Sequence, residues 1–274
     1  MDLNGAVAVV TGAARGIGRS IAEAYAARGA RVGLVDILAD ELAETRRQMK
    51  AAGAAVLPVV TDVTEAHAVD AMVARVEEEL GPIDIQVNNA GTFSYIGPLW
   101  EADPGKWFHD VRVNLYGSFL CCRAAAGAMV ERRRGYIINI ASSGGVSDPH
   151  PYSTSYACSK TALVRLTEGL AKELEPHGVK VFAVGPPAIL TEMTKFIMTD
   201  PGGRKWRPGF EKGFREGRGH PPDLVADLAV KLVSGRADAL TGRFFLATRD
   251  FDETVRQTDA ILRDDLMTLR ISGR

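Results

Sequence analysis

The chain has 274 residues, 46% of them hydrophobic, enough to bury the core of one sizeable α/β domain. Lysine and arginine total 33 against 34 acidic residues, a formal charge of −1, so nothing in the balance calls for nucleic acid or an anionic membrane, and the expected partner is a small molecule. Three cysteines, Cys121, Cys122 and Cys158, form no disulfide framework; with no leader-type N-terminus and no continuous apolar run near the ~20 residues that span a bilayer, the reading is a reduced, cytoplasmic protein.

Along the chain, short Val- and Ile-rich runs alternate with longer segments of helical period. "AVAVVT" (6–11) precedes a helix over 16–29, "RVGLVD" (31–36) one over 38–52, and "AVLPVV" (55–60) one over 64–80; "IDIQVNN" then covers 83–89. Ile17, Ile21, Ala24 and Tyr25 form one helical stripe, and Val69, Met72, Val73, Val76 and Leu80 another. A long helix is expected across about 104–133, then a strand at 135–142, a helix from about Ser155 to Pro176, a strand at 179–184, a shorter helix at 222–234 and a last strand at 243–247. Strand then helix, repeated, predicts a Rossmann-like, doubly wound parallel sheet in a three-layer α/β/α arrangement, a single domain over 1–250. Residues 187–221, rich in Gly and Pro, are too long for an ordinary connection and read as a substrate lid. Residues 252–270 read as a charged helix with Val255, Leu262, Leu266 and Leu269 along one side, so the 251–274 tail is expected to pack on the pocket or on a neighbouring subunit.

The first strand runs into "TGAARGIG". Gly12 permits a tight turn, Gly16 lets backbone approach a ligand, and Gly18 lets helix and strand pack closely, leaving the helix N-terminus for a pyrophosphate. Asp36 closes the second strand where a carboxylate meets adenosine ribose hydroxyls and repels a 2′-phosphate, favouring NAD over NADP. Arg15 pulls the other way, since a guanidinium there could contact phosphate, and Asp36 could instead cap the following helix.

"TGAARGIG", "NNAG" (88–91), Asn114, the serines after "IINIA" and Tyr156-x-x-x-Lys160 together resemble the short-chain dehydrogenase/reductase family, in order, from residue 5 to about 191. The resemblance implies an NAD(P)-dependent oxidoreductase acting on CH–OH groups, commonly assembled as a homotetramer; the five histidines are scattered without metal-ligand spacing, so no metal is expected. It places Gly12, Arg15, Gly16, Ile17, Gly18, Asp36, Asp62, Val63, Asn89, Tyr156, Lys160, Ile189 and Thr191 at the cofactor, and Asn114, a serine, Tyr156 and Lys160 at the chemistry. Two residues four apart on a helix point into one space, so the Lys160 ammonium, with an oxidised nicotinamide, is expected to lower the Tyr156 phenol from its ordinary pKa of about 10 and make it a usable acid/base. Asn114 would then hold a water linking Lys160 to solvent.

Two features depart from the family pattern. Asn139-x-x-Ser142 matches the usual strand spacing, whereas thirteen residues back from Tyr156 lies Ser143; Ser142 is favoured because strand alternation fixes a side chain while loop length is cheap to change. Pro187 stands where the family usually has glycine, removing an N–H and fixing φ ahead of Ile189 and Thr191.

The 187–221 segment supplies Met193, Phe196, Met198, Trp206, Phe210 and Phe214 together with an excess of basic residues. These suit a lipophilic or ring-containing secondary alcohol, with or without an anionic group, although basic residues on a solvated surface read the same way. Phe93, Tyr95, His150, Pro151 and Tyr152 occupy loop positions after strands, where ligand contacts or simple packing are both open. The alternatives are an NADPH-dependent carbonyl or 3-oxoacyl reductase and, in another class, a non-catalytic dinucleotide-sensing protein.

Overall fold

The computed structural model describes residues 1–147 and 151–271, so His150 lies outside the described residues. Seven parallel strands, β1 (Val7–Thr11), β2 (Arg31–Asp36), β3 (Val56–Val60), β4 (Ile85–Asn88), β5 (Gly135–Ile140), β6 (Val179–Gly185) and β7 (Phe244–Leu246), lie in the order β3-β2-β1-β4-β5-β6-β7. The order reverses between β1 and β4, opening a crevice at the carboxyl ends of the strands, where doubly wound sheets bind ligands.

Strand alternation divides the core between two faces. Ala8, Val10, Leu34, Val87 and Ile138 pack with α1 (Gly16–Ala26), α2 (Ala39–Ala51) and α10 (Asp223–Leu232). Val7, Val9, Val35, Ile137 and Val181 pack with α3 (Ala66–Leu80), α5 (Ser118–Arg132) and α6 (Thr154–Leu174). Tyr25, fully buried as the stripe requires, donates its hydroxyl to the Ala229 carbonyl at 3.2 Å.

Three elements differ from expectation. The helix expected across 104–133 is α4 (Pro104–Val111) and α5 joined by a π turn, Arg112–Gly117, whose extra residue per turn carries Asn114. By length and composition the 29-residue stretch Pro104–Arg132 could cross a membrane, which a search for unbroken apolar runs misses because Asp110, Arg112 and Arg123 interrupt it. Part of its apolar surface is buried within the fold through Leu120, Cys121, Cys122, Ala125 and Met129, while Phe108, Tyr116 and Phe119 stay exposed.

Residues 187–221 are largely helical: α7 (Glu192–Thr199), α8 (Pro201–Trp206) and α9 (Pro208–Arg215). Local caps explain this. Thr191 and Thr194 form a reciprocal capping box, Asp200 accepts from the Gly202 and Gly203 amides, and proline opens both α8 and α9.

The single helix expected over 252–270 is two short ones, α11 (Phe251–Arg256) and α12 (Thr258–Arg263), because the chain turns at Gln257. Phe251, Thr254 and Ile261 are the buried residues there, while Leu262 and Leu266 remain exposed. The following segment lies along this chain's own β7 and α6: Phe244 donates its amide to the Met267 carbonyl at 2.9 Å, and Leu269 donates its amide to Glu168 at 2.6 Å.

Candidate active site

A cavity of about 610 Å³ runs along the carboxyl ends of the strands from Asp36 to Arg207. At the β1 end, Gly12 and Gly16 hold φ of +66° and +59°, the left-handed region that favours glycine. A Cβ on Gly18 would collide with the Gly12 carbonyl oxygen, so the third glycine is needed for helix–strand contact. Arg15, the N-cap of α1, is extended and makes no side-chain cap, and the first turn holds no acidic residue. The free amides of that turn therefore remain for an anionic ligand. Gly16 and Ile17 from this turn line the cavity.

Asp36 also lines the cavity, its carboxylate accepting from the Ala14 amide at 3.0 Å and the Leu38 amide at 3.1 Å, which leaves lone pairs on both oxygens. Arg15 is paired with Glu41 of α2 at 3.0 Å. Asp62 accepts from the Thr64 amide and hydroxyl, and Val63 packs under Gly117 of the π turn. Asn89 donates to the Thr11 and Gly12 carbonyls, tying β4 to the glycine turn. Ile189 is buried, Thr191 Cγ2 would sit 3.4 Å from a Cβ on Gly16, and Pro187 faces the same cavity. All thirteen residues expected at the cofactor fall at or beside this one crevice. Twelve of them line it directly, and Gly18 stands behind the glycine turn.

Tyr156 and Lys160 occupy the first turns of α6 and both line the cavity. The Phe93 ring from the loop after β4 stacks on Tyr156 with centroids 4.8 Å apart. Ser142, leaving β5, lines the same cavity, draws the Tyr156 phenol pKa down and accepts from the Gly144 amide at 3.1 Å. Ser143 lines the same cavity without a described bond to the phenol.

Burial raises the Tyr156 pKa above 10.0, and the partners that pull it down are Ser142 and Arg207; Lys160 is not among them. The Lys160 nitrogen stands 5.9 Å from the phenol ring centroid and donates instead to the Ile140 carbonyl at 2.8 Å. Burial in turn lowers Lys160 itself from 10.5 to about 8. The i,i+4 spacing gives direction but not reach, and it carries no information about what burial costs each group.

Asn114 is fully buried, with its amide committed: Nδ2 donates to the Thr92 carbonyl and Ser159 hydroxyl, and Oδ1 accepts from the Thr92 amide at 2.8 Å. Behind Tyr156 stands buried Asp110, accepting from Thr92 Oγ1 and the Ser94 amide on one oxygen and from Ser155 Oγ at 2.6 Å on the other. Sequence reasoning missed Asp110, and its only signal was an acid on the apolar side of α4. It also passed over Phe93 and Arg207 as single members of longer groups.

Comparison with known proteins identifies the family. A profile described as short chain dehydrogenase matches residues 6–202. The chain belongs to the short-chain dehydrogenase family. It is an oxidoreductase of the type that acts on CH–OH groups with a nicotinamide cofactor. Among its relatives, the D-threitol dehydrogenase of Mycolicibacterium smegmatis is 36% identical over 88% of this chain and 90% of its own length. The (2S)-[(R)-hydroxy(phenyl)methyl]succinyl-CoA dehydrogenase subunit of Thauera aromatica is 39% identical over 70% of this chain and 77% of its own. Among solved structures, actinorhodin polyketide ketoreductase with NADPH superposes with a TM-score of 0.81 at 31% identity, covering 88% of this short-chain dehydrogenase and 95% of the ketoreductase.

Proposed function

We propose that this protein is an NAD-dependent dehydrogenase interconverting a lipophilic or ring-containing secondary alcohol and its ketone. The observation that carries the reading is the convergence of the glycine turn, Asp36, Ser142, Tyr156 and Lys160 on one continuous cavity. A dinucleotide fits these residues because the uncapped α1 N-terminus suits a pyrophosphate and Asp36 suits ribose hydroxyls. NAD is preferred over NADP because Asp36 would face a 2′-phosphate and Arg15, the cation that could offset it, is already paired with Glu41.

When bound, NAD supplies the hydride acceptor for the carbinol hydrogen. Tyr156, in the deprotonated form that Ser142 and Arg207 favour against burial, accepts the hydroxyl proton. Ser142 holds the substrate oxygen and donates to it as charge develops, the preorganised stabilisation that usually dominates such steps. Lys160, buried and cationic below about pH 8, binds the nicotinamide ribose. Asn114 braces the π turn and the loop after β4; with its side-chain amide committed, a water linking Lys160 to solvent would rest on its backbone carbonyl, which already accepts from Ser118 Oγ at 2.9 Å. The 187–221 segment acts as a lid, bringing Met193, Ile197 and Phe210 against the site as its apolar wall. Exposed Trp100, Phe108, Tyr116 and Phe119 on and beside the α4–α5 stretch suit burial in a homotetramer.

Screening secondary alcohols with NAD and with NADP, read by the absorbance of the reduced cofactor, tests the reading. Turnover of an apolar secondary alcohol with NAD is expected; turnover confined to NADP, or confined to hydrophilic polyols, contradicts it.

A further inference from the structure

The basic residues of the 187–221 segment are not equivalent. Lys195 pairs with Glu192 at 2.6 Å, Arg215 with Glu211 at 2.6 Å, and Arg218 and Lys212 with Glu216 at 3.0 and 3.6 Å. Arg204 donates to the Met198 carbonyl at 3.2 Å, and exposed Lys205 lies over the Trp206 ring. Arg207 alone lines the cavity, half-buried, and among the described residues no carboxylate and no hydrogen-bond acceptor meets its guanidinium. Its one described side-chain contact is the Phe210 ring, 5.4 Å from Cζ.

The position is built rather than incidental. Arg207 sits at the corner between α8 and α9, its amide donating to the Gly203 carbonyl at 2.8 Å and its carbonyl accepting from the Phe210 amide at 3.0 Å. Gly203 is itself packed so closely that a Cβ would strike the Ile197 backbone. Arg207 and Tyr156 line the same cavity, and the guanidinium favours the phenolate.

The acids of the cavity are elsewhere. Asp36 and Asp62 stand at the ends of β2 and β3, on the far side of β1 from Tyr156, and Glu192 is held by Lys195. Asp110 has both oxygens engaged and does not line the cavity. A guanidinium removed from water without an acid partner is costly, and the planar donor fork matches a carboxylate bidentately.

We propose that Arg207 is the receptor for a carboxylate on the substrate, so that the natural substrate is an apolar hydroxy acid or its oxo acid. The carbinol lies at Tyr156 and Ser142, the hydrocarbon body against Phe93, Met193 and Phe210, and the carboxylate on the guanidinium. This assignment rests on the alcohol-dehydrogenase reading above and narrows it to acidic substrates.

The test uses the full-length protein with and without saturating NADH. Equilibrium binding of benzoate, phenylacetate and 3-phenylpropanoate is compared with that of their primary amides, for the parent, R207Q and R207K. At least one carboxylate should bind tenfold or more tighter than its amide in the parent. That preference should vanish in R207Q, return in part in R207K, and leave NADH affinity unchanged throughout. Equal binding of acids and amides, no binding of any acid, or a preference that survives R207Q overturns the assignment. Failure to bind NADH or NAD would instead defeat the dehydrogenase reading, and the two failures are read from separate titrations.

Discussion

The glycine turn and the 187–221 segment line the same cavity, yet they are built differently. At the turn, backbone does the work: positive φ at Gly12 and Gly16, amides at an uncapped helix start, and Asn89 bonded to main-chain carbonyls. In the 187–221 segment and its neighbours, side chains do it: Phe93 stacked on Tyr156, Tyr152 tilted on Trp206 at 4.3 Å, and Arg207 over Phe210. A site made of backbone tolerates few residue types and so leaves a pattern in the sequence; a site made of packed side chains leaves only a composition.

That contrast predicts where substitutions hurt most. At the turn, Gly18→Ala forces a methyl against the Gly12 carbonyl and the Asn89 amide. It should destabilise the fold by about 3 kcal/mol, with loss of NADH affinity, measured by denaturant unfolding and fluorescence titration. A neutral result would mean that the turn is softer than its geometry.

Lys160 sharpens the comparison from the other side, as a side chain whose burial carries an energetic cost. Its pKa falls from 10.5 to about 8 on folding, so between those values the unfolded chain binds more protons and stability must rise with pH. The ammonium's burial cost is therefore fully present below pH 8 and relieved as pH climbs towards 10.5. The unfolding free energy of the parent minus that of Lys160→Met should increase by about 3 kcal/mol over this range. A flat difference would place Lys160 in a wetter setting than its burial implies.

Ser142 and Ser143 test whether strand geometry or loop length sets the site. Ser142→Ala should cost about 100-fold in kcat, roughly 2.7 kcal/mol, while Ser143→Ala should stay within about threefold of the parent. The reverse pattern would mean that the loop, not β5, delivers the serine. The smallest effect is expected at Asp36. Asp36→Ala should raise the preference for NADP relative to NAD by about tenfold, roughly 1.4 kcal/mol, in kcat/KM for the two cofactors.

The strands and long helices were legible because Val- and Ile-rich runs and stripes such as Ile21 with Tyr25 report burial directly. The π turn was not, since nothing in "RVNLYG" distinguishes it from ordinary helix until Asn114 is seen clamped to Thr92 and Ser159. Of the three short helices after Thr191, α8 and α9 were hidden behind prolines that read as loop but serve as helix starts, while α7 rests on the Thr191–Thr194 capping box. Asp110 and Arg207 escaped for a common reason. Each acts through neighbours distant in sequence, Asp110 through Thr92 and Ser155 and Arg207 through Tyr156, and no local spacing encodes such a meeting.

The account stands on Tyr156 as the proton acceptor beside a bound dinucleotide. The direct measurement is the single-turnover rate of NAD reduction by an accepted secondary alcohol in the parent and in Tyr156→Phe, with NADH binding titrated on the same samples. The rate should fall by about 1,000-fold or more with NADH affinity within about threefold of the parent. A phenylalanine variant that reduces NAD as fast as the parent would contradict it.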